Sequence, residues 1–142
     1  MQIKMTTAIT LAFAMVSSAG FAQNYPNRPI TLLVPFAAGG ATDTVARVTA
    51  QSMSKLLNQT IVIENATGAG GTIAATRASR AEPDGYTLLI HHIGISTAAT
   101  LYRKLAYDTK TAFAPVGLVT NAPMTIIGRP DLPPNTLAEL VT

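Results

Sequence analysis

Residues 29–43 read PITLLVPFAAGGATD, and the fold is decided within them. Pro29–Val34 is a short run rich in β-forming side chains that stops at Pro35, which has no N–H to give to a ladder. A loop of small residues, FAAGGAT at 36–42, follows. Residues 43–57 then carry a helical period, with Ala46, Ala50, Met53 and Leu57 on one face and Arg47 and Lys55 off it. Asn58 comes next, a residue that tolerates the left-handed backbone with which helices end.

The same strand–loop–helix pattern repeats twice. TIVIE at 60–64 predicts a strand, NATGAGG at 65–71 a loop, and residues 72–80 a helix of small residues. Glu82-Pro83-Asp84-Gly85 predicts a turn, with Pro placed ahead of an Asp-Gly pair. YTLLI at 86–90 predicts a third strand; its loop holds His91, His92 and Gly94, and a helix follows near 96–104. Three such units in a row predict an α/β fold, a mostly parallel sheet flanked by helices. In such sheets ligands bind beyond the carboxyl ends of the strands, so the three loops share one rim and any site belongs there. The rest differs: FAPVGLV at 113–119 and MTIIG at 124–128 read as extended pieces around Asn121-Ala122-Pro123. A helix start at 135–139 then breaks off at Thr142, the mark of an incomplete chain.

Composition narrows the function. Of 142 residues, 48% are apolar and only 12% charged, about half the usual share of roughly 25%, so a packed core is expected and disorder is not. The absence of cysteine excludes disulfide scaffolds, thiolate metal sites and Cys nucleophiles together. The formal charge is +3, yet Arg28, Arg47, Lys55, Arg77, Arg80, Arg103, Lys104, Lys110 and Arg129 are scattered rather than striped, which argues against nucleic acid.

Residues 1–22 read as an export signal. Lys4 is their one charge, AITLAFAMV at 8–16 is the apolar stretch, and Gly20-Phe21-Ala22 places small residues for cleavage before Gln23. A membrane span would need about 20 apolar residues. The expected product is therefore exported and periplasmic.

Each rim loop opens a helix, whose first turn offers unpaired N–H groups and partial positive charge to an anion. Gly39-Gly40 and Gly68-Ala69-Gly70-Gly71 let a ligand approach the backbone. Two readings stand: glycines that only make tight turns, and a paired site for a carboxylate or phosphate. Asp43 likewise has two readings, as a first-turn acid that stabilises its own helix or as a rim group that orients loop N–H groups.

Sharper motifs fail. GAGGTI has Ile73 where G-x-G-x-x-G needs glycine, no GK[ST] follows a glycine loop, and Gly94-Ile95-Ser96-Thr97-Ala98 lacks the closing glycine of a nucleophile elbow. His91-His92 has no third metal ligand at useful spacing, and adjacent strand residues point to opposite faces; one of the pair is expected at the rim as a hydrogen-bond donor. No nucleophile–base or carboxylate pair emerges, so the rim reads as built for binding, with no cofactor and no metal.

YPNRPITLLVPFAAGGATDTVAR, IVIENATGAGG, AEPDGYTLLI, LYRKLAYD and FAPVGLV, in that order from Tyr25 to about Val141, resemble the periplasmic binding proteins of tripartite tricarboxylate transporters, the Bug or TctC-like family. The resemblance implies a type II periplasmic-binding-protein-like (Venus flytrap) clamshell, monomeric, that closes on a small organic carboxylate and delivers it to membrane permease subunits. It places the first binding loop on Phe36, Ala37, Ala38, Gly39, Gly40, Thr42 and Asp43, and the second on Thr67, Gly68, Ala69, Gly70 and Gly71. The third rim segment, more variable in the family, falls on His91, His92, Ile93 and Gly94. Ala38, Ala66 and Ala106 depart from the family's usual Pro, Arg and Pro. Residues 23–120 are then a first lobe, incomplete, and 121–142 the crossover with the second lobe only begun. Pockets usually bury 70–90% of a small ligand, so a chain ending at Thr142 is expected to bind weakly or not at all. The rival class is an exported α/β enzyme acting on an anionic substrate, with its catalytic residues elsewhere; a third keeps the fold but serves a signalling partner.

Overall fold

The computed structural model describes residues 25–123, 125–134 and 136–141. The expected export signal at 1–22 lies outside these residues.

Strand β1, Ile30–Val34, forms as its β-branched and leucine side chains suggest and is buried on both faces. Ile30, Leu32 and Val34 point to one side, where they meet Ala46 and Ala50 of helix α1, Ala41–Leu57. The expected apolar stripe is thus the buried one, with Met53 and Leu57 at its margin. Asn58 ends the helix in the left-handed region, φ 48° and ψ 40°. Strand β2, Ile61–Asn65, puts Ile61 and Ile63 on the α1 side.

A 3-10 turn at Ala69–Gly71 leads into α2, Thr72–Ser79, whose Ala74 and Ala75 are fully buried. On this side Leu33 of β1 is also fully buried. Strand β3, Thr87–Leu89, is shorter than the run that suggested it, and α3 spans Gly94–Leu101, two residues earlier than its expected start.

The sheet is parallel throughout, in the order β2-β1-β3. Val34 is level with Asn65, and Leu33 with Leu89, so the three loops leave the sheet at one edge as expected. Helices cover both faces, α1 on one and α2 on the other. The connection after β1 departs to one face and that after β2 to the other, so the two loops part as they leave this edge.

The opposite end of the sheet is pinned. The Tyr25 hydroxyl donates to the Gly85 carbonyl at 2.8 Å, Arg28 pairs with Asp84 at 2.7 Å and lies 4.0 Å over the Tyr86 ring, and Tyr86 shares two hydrogen bonds with Asn27. The expected turn at 82–85 is what these residues grip.

Residues 113–123 and 125–128 run without ladder bonds, and Val116, Leu118 and Ile127 are exposed. Pro115 and Pro123 withhold donors there. A last turn of helix, α4 at Leu137–Leu140, starts where the sequence suggested; Thr136 Oγ1 accepts the Glu139 N–H at 3.3 Å.

Replacing Leu33 by Ala is expected to cost about 2–5 kcal/mol, because a fully buried side chain leaves a cavity between two layers. Leu56→Ala, on the solvent side of α1, is expected to change stability by less than ~0.5 kcal/mol. Urea unfolding of the two variants checks the contrast.

Candidate functional site

The site is built from the residues that leave β1 and β2. Gly40 caps α1 with extended backbone and no side-chain bond. The Thr44 N–H returns to the Gly40 carbonyl at 2.9 Å, and the Gly40 N–H to Ala37 at 3.2 Å. The N–H groups of Ala41, Thr42 and Asp43 head the helix, where no carbonyl of the preceding turn can reach them.

Asp43 decides the shape of this loop. It is the one charged residue buried among those described. Its Oδ2 accepts the Gly39 N–H at 2.8 Å and Arg47 Nε at 2.7 Å; its Oδ1 accepts Arg47 Nη2 at 3.2 Å and Asn65 Nδ2 at 2.9 Å. Four donors hold the charge. The hydrogen bonds from Arg47, then Gly39, then Asn65 keep the carboxyl well below the usual carboxylate range, against the opposing effect of burial. Both sequence readings of Asp43 therefore hold in part. It sits in the first turn of its helix, and it also turns the Gly39 N–H inward.

The second loop takes its form from glycine. Gly68, Ala69, Gly70 and Gly71 all have positive φ, so the chain doubles back within four residues. A Cβ on Gly71 would stand 2.5 Å from His91 Nε2 and 3.0 Å from Pro35 Cβ, so glycine here lets the second loop touch both of the others.

The third loop departs from expectation in two ways. The histidines do not diverge to opposite faces, because β3 ends at Leu89 and residues 91 and 92 are no longer strand. Their rings lie 5.1 Å apart, and both meet Phe36, His92 stacked at 4.7 Å and His91 edge-on at 5.9 Å. His91 is half-buried; burial holds its imidazole below the ordinary histidine pKa, against its hydrogen bond to the His92 carbonyl.

The second departure concerns α3. The Gly94 N–H donates to His92 Nδ1 at 2.8 Å, that of Ile95 to the His92 carbonyl, and those of Ser96 and Thr97 to Ile93. Its first-turn donors are spent, so the third loop brings no open helix terminus to the rim. It brings the exposed His92 instead, whose Nδ1 accepts the Gly94 N–H.

The structure thus brings Phe36, Gly39, Asp43, Gly71, His91 and His92 to one edge, as the sequence suggested. The residue that sequence reasoning missed is Asn65, which bonds both Phe36 and Asp43. The sequence places it at the head of the glycine loop, whereas it is the last residue of β2, and that junction was the available signal. A groove of about 470 Å³ lies elsewhere, between α2 and the sheet, lined by Thr31, Leu33, Arg77 and Arg80 among others.

Comparison with known proteins places this geometry. Residues 45–142 match the family described as tripartite tricarboxylate transporter family receptor. A UPF0065 protein from the TAR-I ttuE-ttuC' intergenic region of Agrobacterium vitis is 55% identical over 118 residues, covering 83% of this chain and 34% of that protein. Among solved structures, the periplasmic binding protein BugD is 55% identical with a TM-score of 0.69, over 82% of this chain and 39% of that one. MatC from Rhodopseudomonas palustris, solved with bound malate, is 48% identical with a TM-score of 0.72, over 82% and 40%. The chain spans about a third of the length of the Agrobacterium relative.

The charge on Asp43 makes a testable contribution to stability. Its folded pKa is depressed, so the stabilisation is fully present above the ordinary carboxylate pKa of about 4 and is lost as pH falls below it. Asp43→Asn is expected to melt about 5–10 °C below the wild type near neutral pH. That gap should narrow steadily as pH falls below about 4, as the wild type loses what the variant never had. Thermal melts across the acid range check both statements.

Proposed function

We propose a function on one premise: the chain belongs to the tripartite tricarboxylate transporter receptor family. The protein is a periplasmic solute-binding protein that captures a small organic carboxylate, a di- or tricarboxylate or a related acid, and passes it to membrane permease subunits. Residues 1–22 direct export, 23–120 supply the first α/β lobe, and 121–142 cross to a second.

The observation that carries this reading is that the first two loops leave the sheet side by side at one edge. The head of α1 supplies backbone N–H groups from the first loop, and the glycine-built turn of the second supplies exposed backbone from the other. Backbone N–H groups at a helix start suit a carboxylate by both hydrogen bonding and partial charge. Asp43 does not repel such a ligand, because Arg47 neutralises it and its lone pairs already point at four donors. The malate bound to MatC supports a dicarboxylate as the substrate class.

The rim has no paired nucleophile and base. Its histidines are engaged with a backbone carbonyl and a backbone N–H, and its one buried acid is locked in an ion pair. These commitments support binding without turnover. Phe36, stacked on His92, forms a neutral wall beside the loops against which the carbon skeleton of the acid lies. Closure of a second lobe over this edge completes the grip and favours docking onto the permease.

Titration with malate followed by NMR tests the reading on this chain. Amide signals of Gly39, Ala41, Thr42, Ala69 and Gly70 are expected to shift saturably with an affinity of about 1 mM, or roughly −4 kcal/mol. The uncharged diamide of malic acid should leave them unmoved. Equal shifts with both compounds, or shifts confined to the Arg77–Arg80 groove, would contradict it.

A further inference from the structure

We propose that Asn65 is a positioning residue of the carboxylate site, one that fixes the distance between its two backbone loops; this rests on the reading given above. Asn65 is the last residue of β2, and its Cα pairs in register with Val34, the last residue of β1. Both loops therefore begin beside it. The main-chain ladder holds the two strands together up to this point, and its final bond runs from the Ala66 N–H to the Val34 carbonyl at 2.8 Å. Beyond it the two chains separate toward opposite faces of the sheet, and no further ladder bond joins them.

The side chain of Asn65 takes over where the ladder stops. Its Nδ2 donates to the Phe36 carbonyl at 2.9 Å and to Asp43 Oδ1 at 2.9 Å. A primary amide has two N–H bonds, and both are spent on the first loop and its helix. The Asp43 carboxylate then passes the restraint on, through Oδ2, to the Gly39 N–H. One side chain at the root of the second loop thus sets the first loop at its beginning, Phe36, and at its glycine turn, Gly39. A carboxylate held by both loops needs donors from each at a fixed separation, and a misplacement of about 1 Å weakens such bonds steeply.

The residue type follows from the partners. Two acceptors, a carbonyl and an ionised carboxylate, face Nδ2. An aspartate here would meet them with no donor unless it held a proton, and two carboxyls at this distance do not both ionise. The charged groups around the position are Asp43 and Arg47 from α1 and, one residue earlier on β2, Glu64, paired with Arg77 of α2. Arg47 is already bidentate to Asp43 and has the geometry to serve that carboxylate alone.

Asn65→Asp provides the decisive test, because its defect should be reversed by a proton. Malate affinity is followed on the chain by NMR titration at about pH 8 and about pH 6, beside wild type and Asn65→Ala. The Asp variant is expected to bind on the order of tenfold more weakly than wild type at the higher pH and to recover most of that loss at the lower. Recovery follows because a proton shared by the carboxyl pair restores an O–H donor. Its Tm should also rise between the two pH values while that of wild type does not. Asn65→Ala, which removes both donors and adds no charge, should be about tenfold weaker at both.

Wild-type affinity in the Ala variant, or a loss in the Asp variant that acid leaves unchanged, would overturn the proposal. Malate-dependent shifts in the wild-type chain that spare both of the first two loops would overturn the carboxylate reading, and the proposal with it.

Discussion

A carboxylate buried at the head of a helix, with every oxygen engaged, is the constraint from which the rest of this site follows. Asp43 is removed from water and would cost several kcal/mol there if left without partners. Arg47, one turn along the same helix, balances the charge, while Gly39 and Asn65 complete the hydrogen bonding from two separate loops. Each donor is drawn to a definite place by the need to satisfy that charge. The first loop cannot swing outward without exposing an unmet carboxylate, and the second loop cannot retreat from it without taking Asn65 along. An internal anion thereby fixes the shape of this edge.

The sheet explains why those loops meet at all. With β1 central and its neighbours level in register, the three loops emerge together, and the opposite departures of α1 and α2 part the first two. The left-handed backbone from Gly68 to Gly71 keeps the second loop low enough to reach Pro35 and His91. The third loop contributes differently. Its helix head is closed by His92, so it presents a stacked pair of rings where the other two present backbone. Two loops that present backbone and one that presents rings is the division on which the proposed reading rests.

Much of this was legible in the chain. The apolar spacing of Ala46, Ala50, Met53 and Leu57 gave the buried face of α1, Asn58 gave its end, and the Pro-Asp-Gly turn gave the start of β3, because each is a local matter of period or backbone preference. The resemblance carried by the glycine loops and the DGYTLLI stretch pointed to the family, and the match over residues 45–142 agrees. The partners of Asp43 were harder to see. Arg47 was visible at helical spacing, but the bond to Asn65 spans 22 positions and depends on the register of β1 against β2. The histidines escape strand alternation for a related reason: the ladder of β3 closes at Leu89, before residues 91 and 92.

The central claim is that an organic acid sits between the first two loops and not in the arginine-lined groove on the far face of the sheet. A crystal structure of the chain grown with malate tests it most directly. The account predicts one malate carboxylate within hydrogen-bonding distance of N–H groups from both the 39–43 and the 67–71 segments, with the Asp43–Asn65 bond intact. Malate bound beside Arg77 and Arg80, with none at the first two loops, would contradict it.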